Sequence, residues 1–236
     1  MKIYKKVYIS IISLIFFTNI GYGSPNNYEA TYVFSKNGLD FARSNHKMIY
    51  DDIKKRWCLY TESRTIGIFS LKKDIREENS CFITEYPDKY NNANQKMSIF
   101  TLDYYYRRDK SGYKDFIKSK RIENNLVTNL SKTNIKHAKE IRIDRLVAQI
   151  FGYAFDKVKV SDKGREREYR FSHIKKENIE TILGSLQTIV IKKEINGSKR
   201  STITWYSSEH SFLPVRIEQY RLDKLMFTAT IKEYKK

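Results

Sequence analysis

Glycine and proline are scarce in this chain. Of its 236 residues, nine are glycine and three are proline, whereas tyrosine occurs 18 times and phenylalanine 13 times. A disordered or low-complexity polypeptide shows the opposite balance, with many chain breakers and few aromatic side chains. We therefore predict a folded protein that is large enough to bury a real core.

The familiar motifs of catalysis and metal binding are also missing. There is no Gly-x-Ser-x-Gly elbow, no phosphate-binding loop and no His-Glu-x-x-His pair. The histidines are scattered, without a second ligand at metal spacing: His46, His137, His173 and His210. Ser207, Glu209 and His210 lie in a single loop, whereas the members of a catalytic triad usually come from distant segments. The sequence thus predicts no catalytic residue, no metal site and no cofactor.

Acidic residues that are adjacent in sequence do not suggest acid–base catalysis either. Asp51-Asp52 and Glu77-Glu78 fall in predicted turns, and neighbours on a strand would point to opposite faces. The same alternation applies to the run of tyrosines at residues 104–106. It places Tyr104 and Tyr106 on one face, which is typical of the core side of a sheet strand.

Long apolar runs are confined to the N-terminus. Lysines at positions 2, 5 and 6 precede an almost wholly apolar stretch at residues 7–20, and small residues follow at 21–24. This three-part pattern is typical of a secretory signal peptide. The apolar stretch is shorter than the ~20 residues that a membrane-spanning helix needs, and no cysteine stands at the cleavage point to carry a lipid. We expect cleavage near Gly23/Ser24, leaving residues 24–236 as one soluble periplasmic or secreted domain without a transmembrane segment.

Cysteine is nearly absent, with Cys58 and Cys81 as the only two. An exported protein meets an oxidising compartment, so the pair suggests a disulfide. The alternative is two buried thiols on separate strands, and the sequence leaves both open.

The net charge of +18 is strongly basic. It favours an anionic partner, such as phospholipid head groups, lipopolysaccharide or an acidic polymer. The alternative explanation is an AT-rich coding sequence, since Lys, Asn, Ile and Tyr are all abundant. Export argues against a nucleic-acid partner. The oligomeric state cannot be inferred from the sequence.

Strand patterns dominate the remaining chain. Asn37-Gly38 and Asn196-Gly197 are typical two-residue hairpin turns between them. An apolar run at residues 66–75 predicts one strand, residues 86–97 predict a loop, and residues 126–139 are ambiguous.

A single segment shows helical periodicity instead. Its apolar residues recur at spacings of three and four: Ile143, Leu146, Val147, Ile150, Phe151 and Ala154. Asp144 is placed to cap its N-terminus. We therefore predict a mainly β protein of the α+β class. Its strongly curved antiparallel sheet, or open barrel, would carry one amphipathic helix at about residues 144–155.

The last third of the chain carries a recognisable order of segments. Residues 183–192 are followed by Thr204-Trp205-Tyr206-Ser207 and then by Leu213-Pro214-Val215-Arg216-Ile217-Glu218. This order resembles the bacterial exported family called domain of unknown function 3108. Tyr28-x-x-x-Tyr32 with Asn37-Gly38-Leu39 resembles that family's opening, and Asp144-Arg145-Leu146 its mid-chain helix.

The resemblance spans roughly residues 27–234. It implies a fold similar to that of the periplasmic lipoprotein carriers, in which a curved antiparallel sheet with a helical lid holds acyl chains on its concave face. It implies no catalytic residues. Trp205, Pro214 and Arg216 carry the resemblance, and we expect them to have structural roles.

Three functions are compatible with these features. The favoured one is a non-catalytic periplasmic protein of the cell envelope that binds a lipid or lipoprotein chain in the concave face of its sheet. The second is a structural module that binds another envelope protein. The third, which we favour least, is a secreted enzyme with an unrecognised site. A polar pocket with converging Tyr, Arg and Glu side chains would favour the enzyme, and a dry apolar pocket would count against it.

Overall fold

A computed structural model describes residues 25–85, 97–123, 125–130, 133–138 and 141–236. The predicted signal peptide and all but the last residue of the predicted loop at 86–97 lie outside these residues. Within them, the chain forms fifteen strands and one α-helix. The strands are β1 (Tyr28–Lys36), β2 (Leu39–Asp51), β3 (Arg56–Thr65), β4 (Asp74–Glu85), β5 (Ser98–Lys110), β6 (Tyr113–Ile122), β7 (Asn125–Leu130), β8 (Thr133–Ala138), β9 (Ile143–Asp144), β10 (Lys157–Asp162), β11 (Arg165–Thr181), β12 (Gly184–Ile195), β13 (Arg200–Ser207), β14 (Leu213–Arg221) and β15 (Lys224–Lys235). The helix is α1 (Arg145–Ile150), and short 3-10 helices span Gly67–Leu71, Gly152–Ala154 and Ser208–His210.

All the strands belong to one sheet. Its order is β8-β7-β6-β5-β4-β3-β2-β1-β15-β14-β13-β12-β11-β10-β9. Every pairing is antiparallel except that of β9 with β10. Both predicted Asn-Gly turns are present, and Asn37 and Gly38 adopt the positive φ values that such a turn requires (50° and 79°).

The sheet is curled, so that distant strands approach each other. The backbone N–H of Thr101 in β5 donates to the carbonyl of Arg142, just before β9, at 2.8 Å. The Arg121 guanidinium, from β6, donates to the carbonyls of Thr101 and Arg142 at 2.6 Å each. The predicted curved antiparallel sheet with one small helix is therefore confirmed.

Helix α1 begins where the sequence predicts but is shorter. Asp144 is its N-cap, and the carboxylate accepts from the backbone N–H groups of Leu146 (2.7 Å) and Val147 (3.2 Å). The α-helix ends at Ile150, and a 3-10 turn carries the apolar stripe on through Ala154. Its buried side chains pack between the two halves of the sheet, against residues such as Phe82 from β4 and Phe171 from β11.

Two local predictions need correction. The strand predicted at residues 66–75 is absent up to residue 73, because Gly67 takes a positive φ of 57° and begins a 3-10 helix that runs to Leu71. Strand β4 starts only at Asp74, so Glu77-Glu78 lies within a strand rather than in a turn. The ambiguous residues 126–139 contribute to the hairpin of β7 and β8.

The apolar core gathers around α1. Its large, fully buried side chains include Tyr104, Tyr106, Tyr206, Phe82 and Phe151. The predicted alternation in β5 is confirmed, since Tyr104 and Tyr106 are both buried. As for membrane spans, no helix among the described residues is long and apolar enough to cross a bilayer.

Candidate binding cavity

A cavity of about 320 Å³ lies inside the curl of the sheet. Strands β1 to β4 and β10 to β15 contribute to its walls, together with α1. The volume is at the lower end of the range for small-molecule sites. Because side chains alternate between the faces of a strand, each strand contributes only one set of residues to the cavity.

The cavity contains more positive than negative charge. Arg76, Arg145, Lys193 and Arg200 line it, against Glu78 and Asp162. Arg200 is exposed, and Arg76 also pairs with Asp74 at 2.8 Å, so the excess lies at the solvent-facing part of the lining. A positive lining of this kind attracts a negatively charged ligand.

Glu78 and Arg145 form the central ion pair of this site. The Arg145 guanidinium donates to one carboxylate oxygen of Glu78, and Tyr104 Oη donates to the other at 2.8 Å. Arg145 Nε in turn donates to Tyr104 Oη at 3.2 Å. Three side chains from β4, β5 and α1 are thereby held in one arrangement.

Arg145 is positioned by the residue before it. Asp144 is fully buried, and its second carboxylate oxygen accepts from Ser80 Oγ (2.5 Å) and Thr101 Oγ1 (2.7 Å). Burial raises the pKa of Asp144, and these hydrogen bonds partly oppose the shift. The cap thus ties the start of α1 to β4 and β5, and with it the side chain that enters the cavity.

Two lysines feel the positive charge of Arg145, and one of them, Lys193, lines the cavity. Lys193 Nζ lies 5.0 Å from the centre of the Tyr169 ring, and Lys163 Nζ lies 4.1 Å from that of Tyr106. Burial, followed by the positive charge of Arg145, lowers the pKa of each lysine to about 8. An anion bound in the cavity beside Lys193 would oppose both effects at that lysine.

His46 presents a further unused polar group. Its ring lines the cavity, the residue is 9% exposed, and no hydrogen-bond partner from the described part of the chain reaches its Nδ1. The other ring nitrogen, Nε2, lies 3.0 Å from Ser44 Oγ. Burial lowers the pKa of His46 to about 4, so the ring is neutral at pH 7. It can therefore offer a ligand either a donor or an acceptor.

Part of the cavity wall is apolar. Phe34, Ile217 and Phe227 come from the neighbouring strands β1, β14 and β15. The rings of Phe34 and Phe227 lie 5.5 Å apart. The cavity therefore has a cationic wall and an aromatic wall, which together suit a ligand that is itself amphiphilic.

The two cysteines lie outside the cavity. Cys58 and Cys81 face each other across β3 and β4 and form a disulfide, with sulfurs 2.08 Å and Cα atoms 4.1 Å apart. On β4 the cavity residues are Arg76 and Glu78, and alternation places Cys81 on the other face. There Cys81 borders an outer groove beside Asp103 and Tyr105.

Residues that carry the family resemblance make structural contacts. Trp205 Nε1 donates to the Glu177 carboxylate, and the Arg216 guanidinium lies 5.0 Å from the Trp205 ring centre. The carbonyl of Pro214 accepts from Tyr32 Oη at 2.8 Å.

The remaining histidines do not converge on the cavity. His173 is exposed on β11, His210 Nδ1 lies 3.0 Å from Ser207 Oγ, and the side chain of His137 is outside the described part. In the described ranges no group of three His, Cys, Asp or Glu side chains is placed to hold a metal ion.

Sequence reasoning did not identify the main cavity residues. Glu78 was assigned to a turn, and Arg145 and Lys193 stood out only as two among many basic residues. The position of Arg145 could have been inferred, because it directly follows the predicted N-cap Asp144 and therefore belongs to the first turn of the helix. Lys193 stands between Lys192 and Glu194 in β12, and these charged neighbours do not indicate which of the three side chains enters the cavity.

Comparisons with known proteins support the fold. No family model and no curated protein matches this chain. A solved structure from Brucella abortus, described as a beta-barrel-like protein of domain of unknown function DUF1849, is similar over 88% of this chain and 96% of its own. The TM-score is 0.57 at 10% sequence identity. Likeness at that level shows a shared fold and leaves function to be argued from the site. The resemblance to domain of unknown function 3108 stays a prediction.

Proposed function

We propose that this chain is an exported, non-catalytic protein of the cell envelope, periplasmic or secreted, that binds an anionic amphiphile such as a lipid or a lipoprotein chain. The observation that supports this most is the cavity with one cationic and one aromatic wall. Its acidic group would lie near Arg145 and Lys193, and its apolar part against Phe34 and Phe227.

This proposal modifies the expectation of an apolar cleft filled by acyl chains. About 320 Å³ holds a head group and the first part of a chain rather than a whole diacyl lipid. The charged lining favours the head group as the part that is recognised, because buried cations gain most from an anionic partner.

Ligand identity can be tested by purifying the protein from its native host and analysing the extracted lipids by mass spectrometry. Binding can be measured by titration with a fluorescent lysophosphatidic acid. Lys193→Gln should weaken binding at least ~10-fold, since one charge-assisted hydrogen bond is worth about 1.5–3 kcal/mol. The matched control is Lys192→Gln, whose side chain pairs with Glu194 at 2.7 Å and lies on the other face of β12.

The pH dependence of binding provides a second readout. Because the pKa of Lys193 is about 8, affinity for the anionic probe should fall as pH rises above 8. Equal affinity of the two variants, together with no co-purifying lipid, would overturn the ligand proposal.

Export is tested separately. Cell fractionation followed by intact-mass measurement should recover a mature chain that begins near Ser24. A chain that retains residues 1–23 and stays in the cytoplasm would contradict this part of the proposal.

One observation favours an enzyme as the second candidate. Tyr104 Oη, Glu78 and Arg145 converge at the wall of the cavity, where Glu78 and Arg145 line it, and such a cluster is one arrangement expected of an unfamiliar active site. A screen with carboxylic and phosphoric esters would test it. Turnover that Tyr104→Phe abolishes, without loss of folding, would favour this candidate over simple binding.

A further inference from the structure

The exposed apolar side chains concentrate at one end of the curled sheet. Among the described residues, thirteen large hydrophobic side chains are exposed, and six of them lie in or directly beside three turns. These are the β1–β2, β3–β4 and β14–β15 turns, which contribute Leu39, Ile68, Phe69, Leu71, Leu222 and Leu225. Exposed apolar side chains that cluster in this way mark interaction surfaces, whereas single ones need no explanation.

An aromatic cluster holds the three turns together. The ring of Phe41 lies 6.2 Å from that of Phe34, 6.2 Å from that of Phe69 and 6.1 Å from that of Phe227. Backbone hydrogen bonds join two further turns to this end, Ser111 N to Lys73 O (2.9 Å) and Leu222 N to Lys199 O (2.9 Å). We call the five segments 36–40, 67–74, 109–112, 196–200 and 221–225 the rim.

The most prominent side chains of the rim point into solvent. Leu71 is 90% exposed and Ile68 is 73% exposed, both in the 3-10 helix that follows the positive-φ residue Gly67. Removing such apolar side chains from water is favourable, and the gain grows with the apolar area that is buried. They are therefore available to enter an apolar phase.

The charge of the rim identifies the partner. Its five segments contain eight lysines or arginines and four aspartates. Some of these charges are paired, as in Lys73 with Asp109 at 3.2 Å. A basic ring around protruding apolar side chains is the pattern of a protein that lies on an anionic bilayer, with the apolar side chains among the acyl chains and the cations at the head groups.

We propose that the rim docks this protein onto the surface of an anionic membrane. Phe34 and Phe227 belong both to the aromatic cluster of the rim and to the apolar wall of the cavity. Docking would thus bring the cavity to the lipid phase. The surface proposal does not depend on the cavity ligand, since the exposed apolar side chains of the rim, such as Ile68 and Leu71, do not line the cavity.

Vesicle co-sedimentation of the chain from Ser24 onward tests this proposal. The probes are phosphatidylcholine vesicles with and without 30% phosphatidylglycerol, a composition chosen for the assay. The protein should sediment with the anionic vesicles, and binding should fall when NaCl is raised from about 50 to about 500 mM, because salt screens the head-group contacts. The double variant Ile68→Ser/Leu71→Ser should bind at least ~10-fold more weakly.

A matched control comes from the opposite end of β2. Ile53 is 93% exposed in the turn that follows β2, whereas the rim turn precedes it. Ile53→Ser should bind vesicles like the parent protein. The double variant Ile68→Ser/Leu71→Ser should keep the parent's affinity for the soluble cavity probe, because neither side chain lines the cavity. This comparison separates failure of the docking proposal from failure of the cavity proposal.

Three results would overturn the proposal. The first is that the parent protein does not bind anionic vesicles. The second is that the double variant binds them as well as the parent does. The third is that Ile53→Ser loses as much vesicle binding as the double variant. Sedimentation velocity tests the alternative that the rim contacts a second copy of this chain. If the parent is a dimer and the double variant a monomer, the rim contacts a second copy of the chain instead of a membrane.

Discussion

Arg145 in α1 and Glu78 in β4 form an ion pair inside the cavity although 67 residues separate them in sequence. The side chain of Glu78 is 11% exposed and that of Arg145 is 29% exposed. Tyr104 donates to the same carboxylate, so the pair links the helix to two strands. It therefore contributes both to stability and to the charge of the candidate site.

Glu78→Gln should destabilise the protein by about 2 kcal/mol, because it leaves Arg145 without its anion in a partly buried position. We reduce the figure for a fully buried pair, since Arg145 retains some contact with water. Urea unfolding followed by fluorescence provides the measurement. Glu77→Gln is the neighbouring control, because Glu77 faces solvent with Arg107 at 3.5 Å, and it should change stability by less than about 0.5 kcal/mol. Equal effects at both positions would contradict the assignment of Glu78 to the interior.

Asp144→Ala should cost about 2–3 kcal/mol in the free energy of unfolding. It removes the N-cap of α1 and leaves the buried hydroxyls of Ser80 and Thr101 without their acceptor. Asp144→Asn keeps one acceptor oxygen for the cap and should cost less. The two variants can be compared by urea unfolding at pH 7. An alanine variant as stable as the parent would show that the cap does not anchor α1.

His46 should make stability fall in mild acid. Its pKa is about 4 in the folded protein and ~6.5 in an unfolded chain, so the folded state disfavours the protonated ring. The contribution of His46 to the free energy of unfolding is therefore fully present above pH 6.5 and is lost as the pH falls towards 4. It amounts to about 3 kcal/mol at most. His46→Gln should flatten the stability profile between pH 6.5 and 4. His173→Gln, at an exposed position on β11, should keep the parent's profile. Superimposable curves for His46→Gln and the parent would count against a buried neutral His46.

Reduction of the Cys58–Cys81 disulfide should lower the free energy of unfolding by about 3 kcal/mol, as expected for a loop closed over 23 residues. Urea curves with and without dithiothreitol, and the double variant Cys58→Ser/Cys81→Ser, provide the measurement. Binding to the cavity should be unchanged while the protein stays folded, because the disulfide lies on the other face of the sheet. No effect of reductant would mean that the thiols are free in the purified protein.

Local predictions succeeded where neighbours in sequence decide the structure. The cap at Asp144 and the positive-φ turn at Asn37-Gly38 depend on a few consecutive residues, and both are present. The strand predicted at residues 66–75 failed for a local reason as well. A run of apolar residues resembles a buried strand, but Gly67 in a left-handed conformation directs Ile68 and Leu71 into solvent.

The side chains that line the cavity could not be predicted from neighbours in sequence. Whether Glu78 or Glu77 enters it depends on the register of β4, and a shift of one residue would exchange their faces. Glu78 meets Arg145 only because the sheet curls and the cap places α1 against β4. Neither distance along the chain nor residue type contains that information.

The class of fold could be predicted from the chain alone, since alternating strands, hairpin turns and one helical stripe are properties of short segments. The basic composition is likewise a property of the chain alone. Where that charge lies, and which residues accompany it, depends on the fold. The curl of the sheet brings Arg145 and Lys193 into one cavity with Phe34 and Phe227, and it gathers the apolar turns at one end. Both arrangements depend on contacts between residues that are far apart in the chain.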